Sequence, residues 1–182
     1  PAILLWPDIL GLRPAFRVMG KRLAEAGYAV LVINPYYRNA KAPVVPEGAS
    51  FRDEPIRALV RPMADQLNAQ THVTDASAFV SFIDQQPAVN TKRKIGTIGY
   101  CMGGPIVMRT AAAIPERIGA AGSFHGGGLA TDKDDSPHLL IPKMKAGFLI
   151  AIAQNDHEKD TKVKDILIDS FKKAELPAEI EI

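Results

Sequence analysis

The sequence predicts an α/β fold: a mostly parallel sheet with helices on both faces. Three observations predict it. Short apolar runs recur along the chain, most of them continuous rather than alternating, as in strands buried on both faces. Segments of helical periodicity lie between these runs. A glycine-flanked cysteine, in Gly99-Tyr100-Cys101-Met102-Gly103-Gly104, stands at one of the junctions from run to helix.

The first run is Ala2 to Trp6. Phe16, Met19, Leu23 and Ala26 follow at three- and four-residue spacings, and Gly27 ends that helix. The second run, Ala29 to Ile33, leads into a stretch from Pro35 to Pro62 with five prolines and little periodicity. Off the carboxyl ends of parallel strands, such an excursion shapes a binding site. Leu67, Val73, Phe79, Phe82 and Ile83 mark a helix from about Met63 to Gln85, with Pro87 as its stop. The third run is Ile95 to Ile98, and Pro105 sits in the first turn of the helix that runs to Ile114, where proline is tolerated. Ala120 to Phe124 is the fourth run, followed by a polar loop from Asp132 to Pro142. Phe148 to Ala153 is the fifth. Val163, Ile166, Leu167, Phe171 and Ala174 form a last amphipathic helix, closed by Pro177, before the sixth run, Ala178 to Ile182.

The 182 residues fit a single domain, 1–182, with no repeat or linker. The 22 basic and 20 acidic residues nearly cancel, so no strong field steers the chain onto nucleic acid or a membrane surface. No apolar stretch reaches the roughly 20 residues of a membrane span. One cysteine excludes an internal disulfide and fits a reducing cytoplasm. The chain opens and closes inside core strands, so it reads as a domain trimmed at both ends, lacking earlier strands and whatever follows Ile182.

The Gly99–Gly104 segment carries the chemistry. Strand, tight turn and helix with a nucleophile at the apex is the pattern of the nucleophile elbow, G-x-S-x-G, here with cysteine. The flanking glycines let strand and helix approach, and the helix amino terminus favours a thiolate and a developing oxyanion at Cys101. The competing readings are a buried structural cysteine in a Gly-rich turn and a phosphate loop. The second lacks the P-loop lysine and the G-x-G-x-x-G spacing.

A nucleophile needs an orienting acid and a base, which follow it in that order in this pattern. Asp156, just after the fifth run, fits the acid, with Asp160 as fallback; a helix cap is the alternative role of Asp156. The base belongs in the loop after the sixth strand, past Ile182. Of the four histidines present, His72 is expected to face solvent from its helix, His138 lies in a polar loop and His157 adjoins the acid. His125, at the end of the fourth strand, is the one placed to line the pocket. None forms H-x-H or H-E-x-x-H, so no metal is expected, and no cofactor. The oxyanion hole needs two backbone donors: Met102 N–H and one from the loop Trp6-Pro7-Asp8-Ile9-Leu10-Gly11. Asp8 in that loop is either a turn residue or a carboxylate that interacts with the thiol.

Taken together, Trp6–Gly11, Asn34-Pro35-Tyr36-Tyr37-Arg38, Gly99–Gly104, Phe124-His125-Gly126-Gly127 and Gln154-Asn155-Asp156-His157 resemble the dienelactone hydrolase family of α/β-hydrolases. The resemblance spans nearly the whole chain. It implies an α/β-hydrolase fold and a Cys–Asp–His triad hydrolysing a lactone or small activated ester through a thiol-acyl intermediate. Cys101 is then the nucleophile, Asp156 the acid, and the N–H groups of Ile9 and Met102 the oxyanion donors. Asp8 stands where the family carries a thiol-interacting glutamate one methylene longer. Phe124 and His125 fall at aromatic pocket positions, and Arg52, Arg57 and Arg61 are candidates for a substrate carboxylate. The implied partner is a small-molecule substrate. A non-catalytic relative, binding a partner or sensing redox through Cys101, is the alternative.

Overall fold

The computed structural model describes residues 1–182. Six strands form one sheet: β1 (Ala2–Trp6), β2 (Ala29–Val32), β3 (Ile95–Tyr100), β4 (Ile118–Phe124), β5 (Gly147–Ala151) and β6 (Ala178–Glu181). Their order is β2-β1-β3-β4-β5-β6, and every neighbouring pair is parallel. Parallel neighbours require a crossover between them, and helices supply most of these. They are α1 (Pro14–Glu25), α2 (Glu54–Ala64), α3 (Ala69–Asp84), α4 (Gly103–Ala113), the short α5 (Gln154–His157) and α6 (Lys162–Lys173). A 3₁₀ helix, Pro137–Lys143, occupies part of the expected Asp132–Pro142 loop.

Side-chain alternation along the strands separates the two faces. Leu4 and Trp6 of β1 join Ile95, Ile150 and Phe148 in the main core, covered by α3, α4 and α6. Trp6 Nε1 donates to Thr97 Oγ1 at 3.1 Å, and its ring meets Phe79 of α3 edge-on. Phe148 packs on Phe171 of α6. Leu5 points the other way and packs with Leu12 and Phe16 under α1. Beyond α1 that face is uncovered, and Ile98, Ala120, Gly122 and Leu149 line an apolar groove of about 850 Å³. Both faces carry helices as expected, but unequally.

Two expectations are corrected here. The single helix from Met63 to Gln85 is two helices, and the first begins at Glu54, inside the proline-rich excursion. The break is dictated by Asn68, whose side chain accepts from the N–H groups of Gln70 and Thr71. Thr71 Oγ1 accepts in return from Asn68 N–H, so a capping box starts α3 afresh. α2 lies over the carboxyl end of the sheet, where Val60 and Met63 pack on Leu10, Tyr36 and Val45.

The second correction is His72, which faces α4 and is buried at 7% exposure. Its Nδ1 lies 3.3 Å from Arg109 Nη1, and its Nε2 has no partner. Burial, with Arg109 adding, pushes its pKa from 6.5 down to about 4. The unfolded chain therefore binds this proton first. The contribution of His72 to stability is complete above about pH 6.5 and is lost as pH falls toward about 4. Urea unfolding at pH 7 and pH 5 should show this loss. In His72→Asn, which keeps an acceptor for Arg109 but does not titrate, the loss should shrink; an unchanged difference would assign the acid sensitivity elsewhere.

Candidate active site

The carboxyl ends of β1, β3, β4 and β5 bring the predicted residues toward one another. Cys101 sits at the apex between β3 and α4 with φ +52°, a left-handed conformation that a cysteine adopts only where its surroundings hold it. Its N–H donates to Phe124 O at 3.0 Å, and its carbonyl accepts from Gly104 N–H at 3.0 Å. The glycines are required by contact. A Cβ on Gly99 would lie 2.3 Å from Gly103 O, and one on Gly103 would lie 2.6 Å from Trp6 O. The strand, the helix and the β1 loop thus touch backbone to backbone around the thiol.

The Cys101 thiol is held above the ordinary cysteine range, chiefly by burial, with the charges of Asp8 and Asp156 adding to the effect. The backbone N–H groups of Met102 and Ile9 lie near enough to the sulfur to oppose that shift. These are the two donors expected for an oxyanion hole, and they converge on the predicted nucleophile. The balance favours a neutral thiol at rest, so attack requires a base to take its proton.

Asp8 does not meet the expectation of a thiol partner. Its carboxylate accepts from Arg13 on both oxygens, at 2.6 and 2.8 Å, and Oδ1 also accepts from Leu10 N–H at 2.9 Å. No hydrogen bond joins it to Cys101. One methylene shorter than the family's glutamate, it is captured by its own loop and acts on the sulfur only as a charge that disfavours the thiolate. Arg13, whose guanidinium also lies over the Phe16 ring at 4.9 Å, was not singled out from the sequence. A basic residue five positions from an acidic one gives no signal until the Asp8–Gly11 turn folds them together.

Asp156 lies in α5, just past β5. Its Oδ2 is 3.0 Å from His125 Nε2, while Lys159 and Asn155 approach Oδ1. His125 follows β4 with φ +55°, and its N–H donates to Ala151 O at 2.9 Å. The structure therefore pairs the predicted acid with the one histidine expected at the pocket. Asp160, the fallback, accepts from Lys162 N–H in the turn before α6. His138 is bound to Ser136 at 2.7 Å.

Phe124 differs from expectation. Its ring stacks on Tyr100 at 5.2 Å and lines the apolar groove on the open sheet face, so only its carbonyl reaches the elbow. Strand alternation decides this, because Phe124 shares a face with Gly122 and not with Ser123. Of the arginine candidates, Arg57 is tied to Glu54 and to the Arg52 carbonyl. Arg61 lies over the Phe51 ring at 5.8 Å, and Arg52 is exposed. No group of acidic, histidine or cysteine residues is arranged to hold a metal, and no helix is long and apolar enough to cross a membrane.

The sequence model of the dienelactone hydrolase family matches residues 1–182. A carboxymethylenebutenolidase of Pseudomonas putida is 23% identical over 171 residues, covering 94% of this chain and 67% of its own length. That of Rhodococcus opacus is 27% identical over 118 residues, 65% of this chain and 41% of its own. Among solved structures, a dienelactone hydrolase-like promiscuous phosphotriesterase from metagenomic libraries superposes with TM-score 0.75 at 18% identity, covering 100% of this chain and 69% of that one. A dienelactone hydrolase from Anabaena variabilis gives TM-score 0.58 at 20% identity, covering 100% and 73%. These structural likenesses show the shared fold, and the whole-length family match places the sequence within it: the chain belongs to the dienelactone hydrolase family, hydrolases of lactone and ester bonds.

Proposed function

We propose that this protein hydrolyses lactones or small activated esters with Cys101 as nucleophile, through a Cys–Asp–His triad. The observation that carries the reading is a cysteine held at positive φ at the apex of the β3–α4 turn, packed backbone to backbone against the end of β1, with the Met102 and Ile9 N–H groups acting on its sulfur. A histidine base takes the thiol proton, and the thiolate forms a C–S bond to the substrate carbonyl. The carbonyl electron pair moves to oxygen, where the two N–H groups stabilise it. Collapse breaks the ester C–O bond, and the protonated histidine gives its proton to the leaving oxygen. Water then attacks the thioester with the histidine as base, releasing the acid and restoring the thiol. Asp156 fixes the orientation of the histidine and stabilises its cationic form.

In the family pattern the base follows the last strand. The geometry supports that position, because Ile152 N–H donates to Glu181 O at 2.8 Å and so holds the end of β6 beside the turn that carries Asp156. The 3.0 Å contact of His125 with Asp156 favours a second assignment, in which His125 is itself the base. The non-catalytic alternative is not favoured by the family match. The lone thiol fits a reducing cytoplasm.

Mass spectrometry of the full-length protein mixed with a nitrophenyl ester should find the acyl group on Cys101; acylation elsewhere overturns the reading. His125→Ala should keep turnover within about tenfold if the base follows β6, since only a pocket contact is lost. A collapse of kcat to the level of a Cys101 variant would instead make His125 the base.

A further inference from the structure

Tyr36 is wholly buried at the start of the loop after β2. Neither α/β patterning nor the triad accounts for a phenol there. Asn34 fixes the loop that carries it: Asn34 Oδ1 accepts from Tyr36 N–H at 3.1 Å and Asn34 Nδ2 donates to Ala40 O at 2.8 Å. The Tyr36 ring lies against Gly11, where a Cβ would come within 3.1 Å of it. Its hydroxyl donates to the Ile9 carbonyl at 2.7 Å and lies 3.5 Å from Met102 Sδ. Ile9 lies in the loop that follows β1, whose Trp6 and Pro7 carbonyls approach Gly103 of the elbow, and Met102 follows the nucleophile; their N–H groups are the two that act on the Cys101 sulfur.

We propose that Tyr36 is a positioning residue for the oxyanion hole, holding the Ile9 donor from behind through its hydroxyl, with Met102 Sδ packed beside the same oxygen. The inference rests on the hydrolase reading above. Its logic is in the peptide planes. The Ile9–Leu10 peptide is gripped at both ends, its carbonyl by Tyr36 and its N–H by Asp8. The preceding peptide has its carbonyl, Asp8 O, bound by Gly11 N–H at 2.9 Å, which leaves the Ile9 N–H free to point at the sulfur. With both flanking planes fixed, the torsions of Ile9 have little freedom, and the donor is set before substrate arrives. Buried against the charge of Asp8, the phenol is held well above its ordinary pKa, so it remains a donor at any working pH.

The test is the carbonyl stretch of the acyl group on Cys101, read by isotope-edited infrared spectroscopy in the full-length protein. Tyr36→Phe keeps the ring and removes the hydroxyl. It should shift the thioester carbonyl to higher frequency, as donation by the hole weakens, and lower kcat about tenfold with KM little changed. Tyr37→Phe is the control. It removes a neighbouring phenol that donates to Asp75 at 2.9 Å and touches neither donor residue, so it should alter stability without moving the carbonyl band. A wild-type protein that forms no thioester at Cys101 overturns the hydrolase reading and this inference with it. A thioester that forms normally, with the same frequency and kcat in Tyr36→Phe as in the wild type, overturns the positioning role alone. An equal shift in Tyr37→Phe also overturns it, because the loop as a whole would then be responsible.

Discussion

Replacing Cys101 with alanine should reduce turnover of a nitrophenyl ester to background, a loss of roughly a millionfold on the scale of nucleophile deletions in other hydrolases. Serine should not rescue it. The base here has to deprotonate a thiol, and a hydroxyl is far harder to ionise. The melting temperature should change little, because the thiol is neutral and only partly buried, and the bonds at this position come from its backbone. Loss of activity with an intact melting transition separates chemistry from folding. Turnover retained in the alanine variant would refute the nucleophile assignment outright.

Gly99→Ala should damage the fold and the activity together. Its Cβ would meet Gly103 O at 2.3 Å, Gly103 C at 2.6 Å and Val107 Cγ2 at 2.8 Å. Two of those three atoms are backbone, so no rotamer change relieves the clash, and α4 must move away from β3. Overpacking of this kind costs about 3 kcal/mol, which lowers the melting temperature of a domain this size by about 10 °C. Because Met102 N–H rides on the amino terminus of α4, kcat should fall further than the fraction unfolded explains. Gly127→Ala is the matched control: nothing lies within 4 Å of its Cβ, and its stability should stay within about 0.5 kcal/mol of the parent. A Gly99→Ala protein that melts with the parent would contradict the close approach of strand and helix.

Much of the fold was legible because parallel strands and their helices write continuous apolar runs and three-to-four spacings into the sequence. All six strands were anticipated within two residues at most ends. The split between α2 and α3 was missed, because Leu67 continues the apolar period across the break, while the reset depends on a side chain, Asn68, folding back on the next turn. The elbow was legible for a related reason. Its glycines answer to local geometry, and local geometry is what short motifs encode. The roles of Asp8, Phe124 and His72 are decided by partners that local sequence does not announce: Arg13 takes the carboxylate and leaves Asp8 its turn role, Tyr100 takes the Phe124 ring, and Arg109 meets the imidazole. Tyr36 belongs with these, since nothing near it in sequence announces the Ile9 carbonyl.

The pairing of β1 with β3 has a bearing on how this protein acquires its chemistry. The two N–H groups at the sulfur come from residues 9 and 102, brought together by that strand pair, by the Trp6–Thr97 bond, whose ends are 91 residues apart, and by Tyr36 between Ile9 and Met102. The ends of a loop that long meet only after large entropy has been given up. Two complete crossovers must therefore be threaded before the thiol has any oxyanion donor from the β1 loop. During folding, before β1 and β3 have paired, the cysteine is an ordinary thiol, and its reactivity toward esters arrives late, as a report that the centre of the sheet has closed.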